Sequence, residues 1–294
     1  MPCMKTPALR PVLFVVAGLV LTAGLFAQAP APKVEFPAAS PASTLKQRVG
    51  LTDIEVSYSR PGVKGREIFG SLVPYDQVWR TGANTATKIT FSTDVKLNGT
   101  AVPAGVYELF SIPGRTEWTV IIHKNMSQWG AYAYDQKNDV ARIKATPFAL
   151  PLPVENFTIN FNRLHDESAL LELVWDKILV PVKLEVDVSS TLVPQIEAIM
   201  ASAETKKPYF QSAMFYLEHN LDLKKAAAWM DAAIAADPKA FYLMYRKGLI
   251  LEKMGDKAGA LAAAQASLDL AAKASGSIKE EYTRLNEALI ARLH

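Results

Sequence analysis

Between about residues 44 and 187, apolar side chains recur at every second position. "IEVSYS" places Ile54, Val56 and Tyr58 on one face, "TKITFS" aligns Ile89 with Phe91, and "VKLNG" aligns Val95 with Leu97. "WTVIIH", "VARIK", "FTINFN" and "ALLELVW" continue the series, and "ILVPVKLEV" closes it. Successive side chains of a strand point to opposite faces, so a period of two predicts strands with one face buried. The runs are short, rich in β-branched and aromatic residues, and separated by Gly, Pro and Asn. Asn98-Gly99 predicts a tight hairpin, because both central positions of such a turn need positive φ. Eight or more short strands without a long helical run between them predict an antiparallel β-sandwich. A closed barrel has the same periodicity and stands as the alternative.

After Val188 alanine becomes abundant and the period becomes helical. "FQSAMFYLEHNLDLKKAAAWMDAAIAADP" and "YLMYRKGLILEKMGDKAGALAAAQASLDLA" align with Ala226 on Ala260, 34 residues apart. In that register Met214 matches Gly248, Leu217 matches Leu251 and Ala233 matches Ser267. The spacing resembles the tetratricopeptide repeat, in which small residues let antiparallel helices approach closely. "KGLILEKMGDKAGAL" carries the resemblance best, and "SIKEEYTRLNEALIARL" supplies a capping helix. The whole chain is therefore expected to be α+β: a β-sandwich over 44–187 and a small TPR-like helical domain over 188–294.

The N-terminus changes the expected compartment. Lys5 and Arg10 precede the apolar run "PVLFVVAGLVLTAGLFA", which ends in small residues and reads as a secretory signal peptide over 1–27, cleaved after Ala27. Residues 28–43, mostly Ala, Pro and Ser, read as a flexible linker. Losing Lys5 and Arg10 with the leader brings the formal net charge of +3 close to neutral. That balance argues against a nucleic-acid partner, and no membrane span is expected once the leader is gone. The single cysteine, Cys3, belongs to the leader. Neither disulfides, a thiol nucleophile nor a thiolate metal site is expected, and the protein reads as exported, periplasmic or secreted.

One long string of motifs is specific. It runs from "SYSRPGVKGREIFGSLVPYDQVWRTGANTATKITFS" through "LNGTAVPAGVYELFSIPG" to "EWTVIIHKNMSQWGAYAYDQKNDVARIK". Over roughly residues 43–187 the chain closely resembles the DUF2911 family, exported bacterial proteins with a domain of unknown function. The helical tail resembles the C-terminal extension of many members. The resemblance implies export, a β-rich domain and an unassigned activity, and brings no catalytic residues with it.

The usual enzyme signatures are missing: no H-E-x-x-H, no G-x-S-x-G, no P-loop and no G-x-G-x-x-G. The four histidines, His123, His165, His219 and His294, have no metal-ligand spacing, and "RLHDES" reads as a solvated hairpin loop. No metal and no cofactor is expected. What remains is three loop-like segments that mix aromatics with polar groups. Arg60, Trp79, Arg80, Asn84, Gln128, Trp129 and Tyr132 are the predicted ligand-binding residues. The tryptophans and Tyr132 offer flat apolar faces, Arg80 a planar fork for a carboxylate or phosphate, and Asn84 a donor with an acceptor. Such a set suits a small polar ligand, a glycan or a peptide. The same residues also suit a structural lock, with Arg80 paired to Asp76, Glu67 or Asp135. A hydrolase-type enzyme would have to draw on His123 as base and Asp135 as its orienting carboxylate. A third reading makes the helical tail a docking surface for a partner protein.

Overall fold

The computed structural model describes Met1, residues 35–124 and residues 127–294. The predicted signal peptide and most of the linker lie outside the described residues. Two compact units result, Met1–Ala38 and Ala39–His294, and the second carries the ten strands and six α-helices of the described chain. In chain order these are β1 (Ala42–Val49), β2 (Thr52–Ser59), β3 (Thr87–Phe91), β4 (Val95–Leu97), β5 (Thr100–Val102), β6 (Gly105–Ile112), β7 (Trp118–Lys124), β8 (Asp139–Ala145), β9 (Phe148–His165) and β10 (Ser168–Val186). The helices are α1 (Ser189–Ala201), α2 (Tyr209–Glu218), α3 (Leu223–Ala236), α4 (Phe241–Lys253), α5 (Lys257–Ala271) and α6 (Ser277–Leu293).

The strands form two antiparallel sheets and no closed barrel. One has six strands in the order β1-β2-β3-β6-β7-β8, the other four in the order β5-β4-β10-β9. Ile54, Val56 and Tyr58 of the first sheet and Phe157, Ile159 and Phe161 of the second belong to one apolar core, as the alternation predicts. Asn98 and Gly99 both have positive φ, 44° and 79°, and join β4 to β5 as a two-residue turn. β1 begins at Ala42, which pairs with Ser59, so the sheet reaches two residues into the stretch expected as linker.

Two departures have clear physical causes. "ALLELVW" and "ILVPVKLEV" are a single strand, β10, interrupted in register around Asp176, whose φ of 49° breaks the alternation. Such a bulge keeps both halves in one sheet while bending it. β7 is buried on both faces: Trp118, Val120 and Ile122 face the main core, while Ile121 joins Phe110 and Ala86 in a second small core beneath Ala131 and Tyr134. A strand covered on both sides reads as a continuous apolar run, which is what "WTVIIH" is.

The helices confirm the 34-residue register. Ala226 and Ala260 are both fully buried, and Asp222 and Asp256 cap α3 and α5 at equivalent positions. The polar cluster at "RLHDES" has a structural task, since Glu167 Oε1 accepts from the backbone N–H groups of Val188 and Ser189 and so caps α1. Leu192 of α1 and Phe215 of α2 pack on the β core, so the first helices dock against the sandwich.

Candidate functional site

The loop between β2 and β3 is anchored by Trp79. Its backbone exchanges two hydrogen bonds with Ser111 of β6, 2.7 and 2.9 Å, which drives its ring into the core. There it stacks on Trp175 at 5.8 Å and meets Phe69, Trp118 and Phe157 edge-on. Trp79 Nε1 donates to Gly82 O, Thr81 Oγ1 lies 2.9 Å from Ser111 Oγ, and Thr87 Oγ1 donates to Thr81 O. These bonds hold Thr81 and Asn84 at positive φ, 52° and 61°. Non-glycine residues in that region cost about 1 kcal/mol or more each and persist only where the surroundings dictate them. The loop is therefore rigid, and it presents Arg80 and Asn84 in fixed directions. Asn84 Nδ2 donates to Ser59 Oγ at 3.2 Å, tying the loop to β2.

A second segment is clipped against the first. Ala86 N donates to Gln128 O and Gly130 N to Asn84 O, which places Thr85 opposite Trp129 in a short antiparallel ribbon. The ribbon turns Trp129 outward, and Tyr132 stacks on it at 6.0 Å with 18° between the ring planes. Both are exposed, at 63% and 83%. The Arg80 guanidinium lies over the Trp129 ring, 5.8 Å from its centroid. Gly130, at φ 76°, makes this possible: a Cβ there would come within 2.7 Å of the Tyr132 ring and 3.2 Å of Arg80 Nη1.

Between the two segments lies a cleft of about 680 Å³ whose lining includes Arg80, Arg66, Asn84, Trp79, Trp129 and Tyr132. Apolar walls come from Leu72, Val73 and Pro74. No Asp or Glu lines it. Arg80 has no carboxylate partner among the described residues, and its Nε is a buried donor with nothing to donate to. Among the described residues Arg66 donates to backbone carbonyls alone, those of Val63 and Gly62. Two guanidinium groups in a walled cleft with no acidic side chain create a local positive potential that favours an anion.

Five of the seven predicted binding residues meet here: Trp79, Arg80, Asn84, Trp129 and Tyr132. Arg60 does not, since its Nε donates to Phe157 O and its Nη2 to Thr158 Oγ1, bracing β9. Gln128 lies behind the ribbon, buried, with Nε2 donating to Glu108 at 2.9 Å. His123 is fully buried. Its Nδ1 is 2.7 Å from Lys124 O and its Nε2 is 3.2 Å from Asp135 O, with Phe110 and Tyr134 packed against the ring. Both ring nitrogens face carbonyl oxygens in the interior and the ring does not line the cleft, so neither nitrogen is placed to accept a proton from a molecule there. Asp135 points its carboxylate elsewhere, capping the short turn that follows by accepting from Lys137 N. Beside it, burial and the hydrogen bond to Asp139 push the Tyr134 hydroxyl up to about 12. Among the described residues no group of three or more His, Cys, Asp or Glu is arranged to hold a metal ion.

Arg66 also lines the cleft, although it stands outside the predicted ligand-binding set. It lies in "RPGVKGRE", just after a glycine turn and directly before Glu67, with which it forms no ion pair among the described residues. Pairing of Gly62 with Asn156 brings that turn to the cleft.

No curated protein and no solved structure matches the chain. The match that does exist covers the strands that build the cleft. Through this β-rich part, residues 40–184, the chain belongs to the family described as protein of unknown function (DUF2911).

Proposed function

We propose that the protein is an exported binding protein of the cell envelope whose β-sandwich holds a small anionic ligand, an acidic glycan or a peptide carboxylate, in the Arg80 cleft. The observation that carries this reading is the pair Arg80 and Arg66 in a cleft with no acidic wall residue. A carboxylate seated there would accept from the Arg80 fork, and its apolar or sugar face would lie on the Trp129–Tyr132 platform. The volume falls within the range of small-molecule sites. Burial of His123 supports binding over hydrolysis. The leader motif supports export, and no helix among the described residues is long and apolar enough to cross a membrane.

Isothermal titration of uronate-bearing oligosaccharides and short peptides, each beside its neutral or amidated analogue, tests the proposal. The acidic member of a pair should bind, and Trp129→Ala should weaken it by roughly 1–3 kcal/mol, the worth of one aromatic face. Equal affinity for the neutral analogue, or full binding by Trp129→Ala, would sink it.

A further inference from the structure

The larger sheet carries one polar row straight across its strands. Thr44, Ser57, Lys88, Glu108, His123 and Asp139 are cross-strand partners in turn from β1 to β8. Residues directly opposite one another share a face of the sheet. At the β7–β8 end the row is covered: Asp139 Oδ2 accepts from Tyr134 and Arg142, and the ring nitrogens of His123 face backbone carbonyls. Toward β1 the row stays open and borders a cavity of about 310 Å³ that shares no lining residue with the Arg80 cleft.

This cavity has two chemically distinct ends. One is made of acceptors. Glu108, 2% exposed, accepts from Gln128 N at 2.7 Å and from Gln128 Nε2 at 2.9 Å, and His123 Nδ1 stands 3.6 Å behind its Oε2. A carboxylate facing an amide can only accept, so the amide nitrogen of Gln128 must face Glu108 and Oε1 must face away from it. Gln128 lines the cavity and is 7% exposed, and its Oε1 is buried without a partner among the described residues. Buried polar atoms are ordinarily satisfied, and an orphan in a cavity wall calls for a donor. The other end is Lys88, opposite Glu108 on the neighbouring strand, with an ammonium that forms no ion pair among the described residues. Hydroxyls of Ser43, Thr44, Ser57 and Thr85 fill the wall.

We infer that this cavity is a second binding site, for a free α-amino acid. Its ammonium donates to Gln128 Oε1 and the Glu108 carboxylate, its carboxylate accepts from Lys88, and the hydroxyl wall meets what is left. An α-carbon that bears both an ammonium and a carboxylate matches an acceptor and a cation held on adjacent strands, about 5 Å apart at their Cα atoms. The volume suits a small side chain.

The test is amide-detected NMR titration of the purified protein with glycine, L-alanine and L-serine to about 10 mM, alongside ethylamine and acetate, which keep one charge each. The zwitterions should shift the amides of Ser57, Lys88 and Gln128, and each single-charge analogue should bind about tenfold or more weakly. Lys88 is exposed, so Lys88→Met should fold as the parent does and lose the response, whereas Arg80→Met should keep it. Acetate or ethylamine binding as well as glycine would overturn the inference. So would a full response from Lys88→Met, a response lost in Arg80→Met, or no response to any zwitterion.

Discussion

Replacing Arg80 by methionine separates a ligand-binding arginine from a structural one. If Arg80 served the fold, its loss would resemble breaking a buried ion pair, which costs about 3–5 kcal/mol. The structure predicts otherwise. The guanidinium has no carboxylate partner among the described residues, and its interaction with the exposed Trp129 ring is worth about 0.5–1 kcal/mol. Against that stands its Nε, a buried donor with no acceptor, a defect that costs about 1–3 kcal/mol and that methionine removes. The two effects offset each other, so Arg80→Met should unfold within about 1 kcal/mol of the parent, a Tm change of no more than about 4 °C. Binding should respond far more strongly. Losing a charge-assisted contact removes about 1.5–3 kcal/mol, roughly a 10- to 150-fold rise in Kd for an anion seated in the cleft. Urea unfolding of both proteins, read beside calorimetric titration of the same anion, measures the two quantities together. A loss of stability above about 3 kcal/mol with unchanged anion affinity would refute the reasoning and make Arg80 part of the scaffold.

Gly130→Ala forces φ 76° on an alanine, which costs about 1–2 kcal/mol, and drives its Cβ into the Tyr132 ring, so chemical denaturation should show that loss while ligand-induced thermal stabilisation disappears. In the helical part, Ala260→Leu puts three extra carbons where there is no exposed surface, and should cost about 1–3 kcal/mol by overpacking; the same change at the equivalent Ala226 should cost a similar amount, measured by far-ultraviolet circular dichroism during urea unfolding. Acid should weaken these helices first. Hydrogen bonds from Lys225 and Tyr216 hold the Glu197 carboxyl below its ordinary 4.5, and Arg292 does the same for Glu252. A depressed carboxyl pKa contributes stability that is present above the unfolded value and lost as pH falls through the folded one. Helical signal should therefore soften below about pH 4.5, with Glu197→Gln reducing the pH dependence; the same pH slope in that variant would contradict the assignment.

Much of the architecture was legible because it depends on local periodicity. Alternation in "IEVSYS" and "FTINFN" marks strands with one buried face, and both contribute those faces to the shared core. Asn98-Gly99 carries its turn in its own dihedral preferences. The 34-residue register of the tail places Ala226 and Ala260 at matching contacts, since small residues are what close helix packing requires. Even the grouping of the Trp79–Asn84 and Gln128–Tyr132 segments was readable, as loops that mix aromatic and polar groups on a rigid scaffold.

Which side of the scaffold each residue serves was decided by the tertiary structure. Trp79 and Trp129 are alike in sequence, each followed by Arg or Gly in a polar loop. The pairing of Trp79 with Ser111 sends one ring into the core, and the ribbon between Thr85 and Trp129 holds the other out in solvent. His123 looked available and is sealed, because the chain after β7 folds back over the outer face of its own sheet. Arg80 had three acidic residues within reach along the sequence and pairs with none of them. Glu108, a charged residue in a strand, is buried beside a cavity and bonded to Gln128. Periodicity is a property of neighbouring residues and can be read from one segment. Whether a side chain ends in the core, in a cleft or under a loop depends on contacts between segments far apart in the chain, and only the packed sheets bring those together.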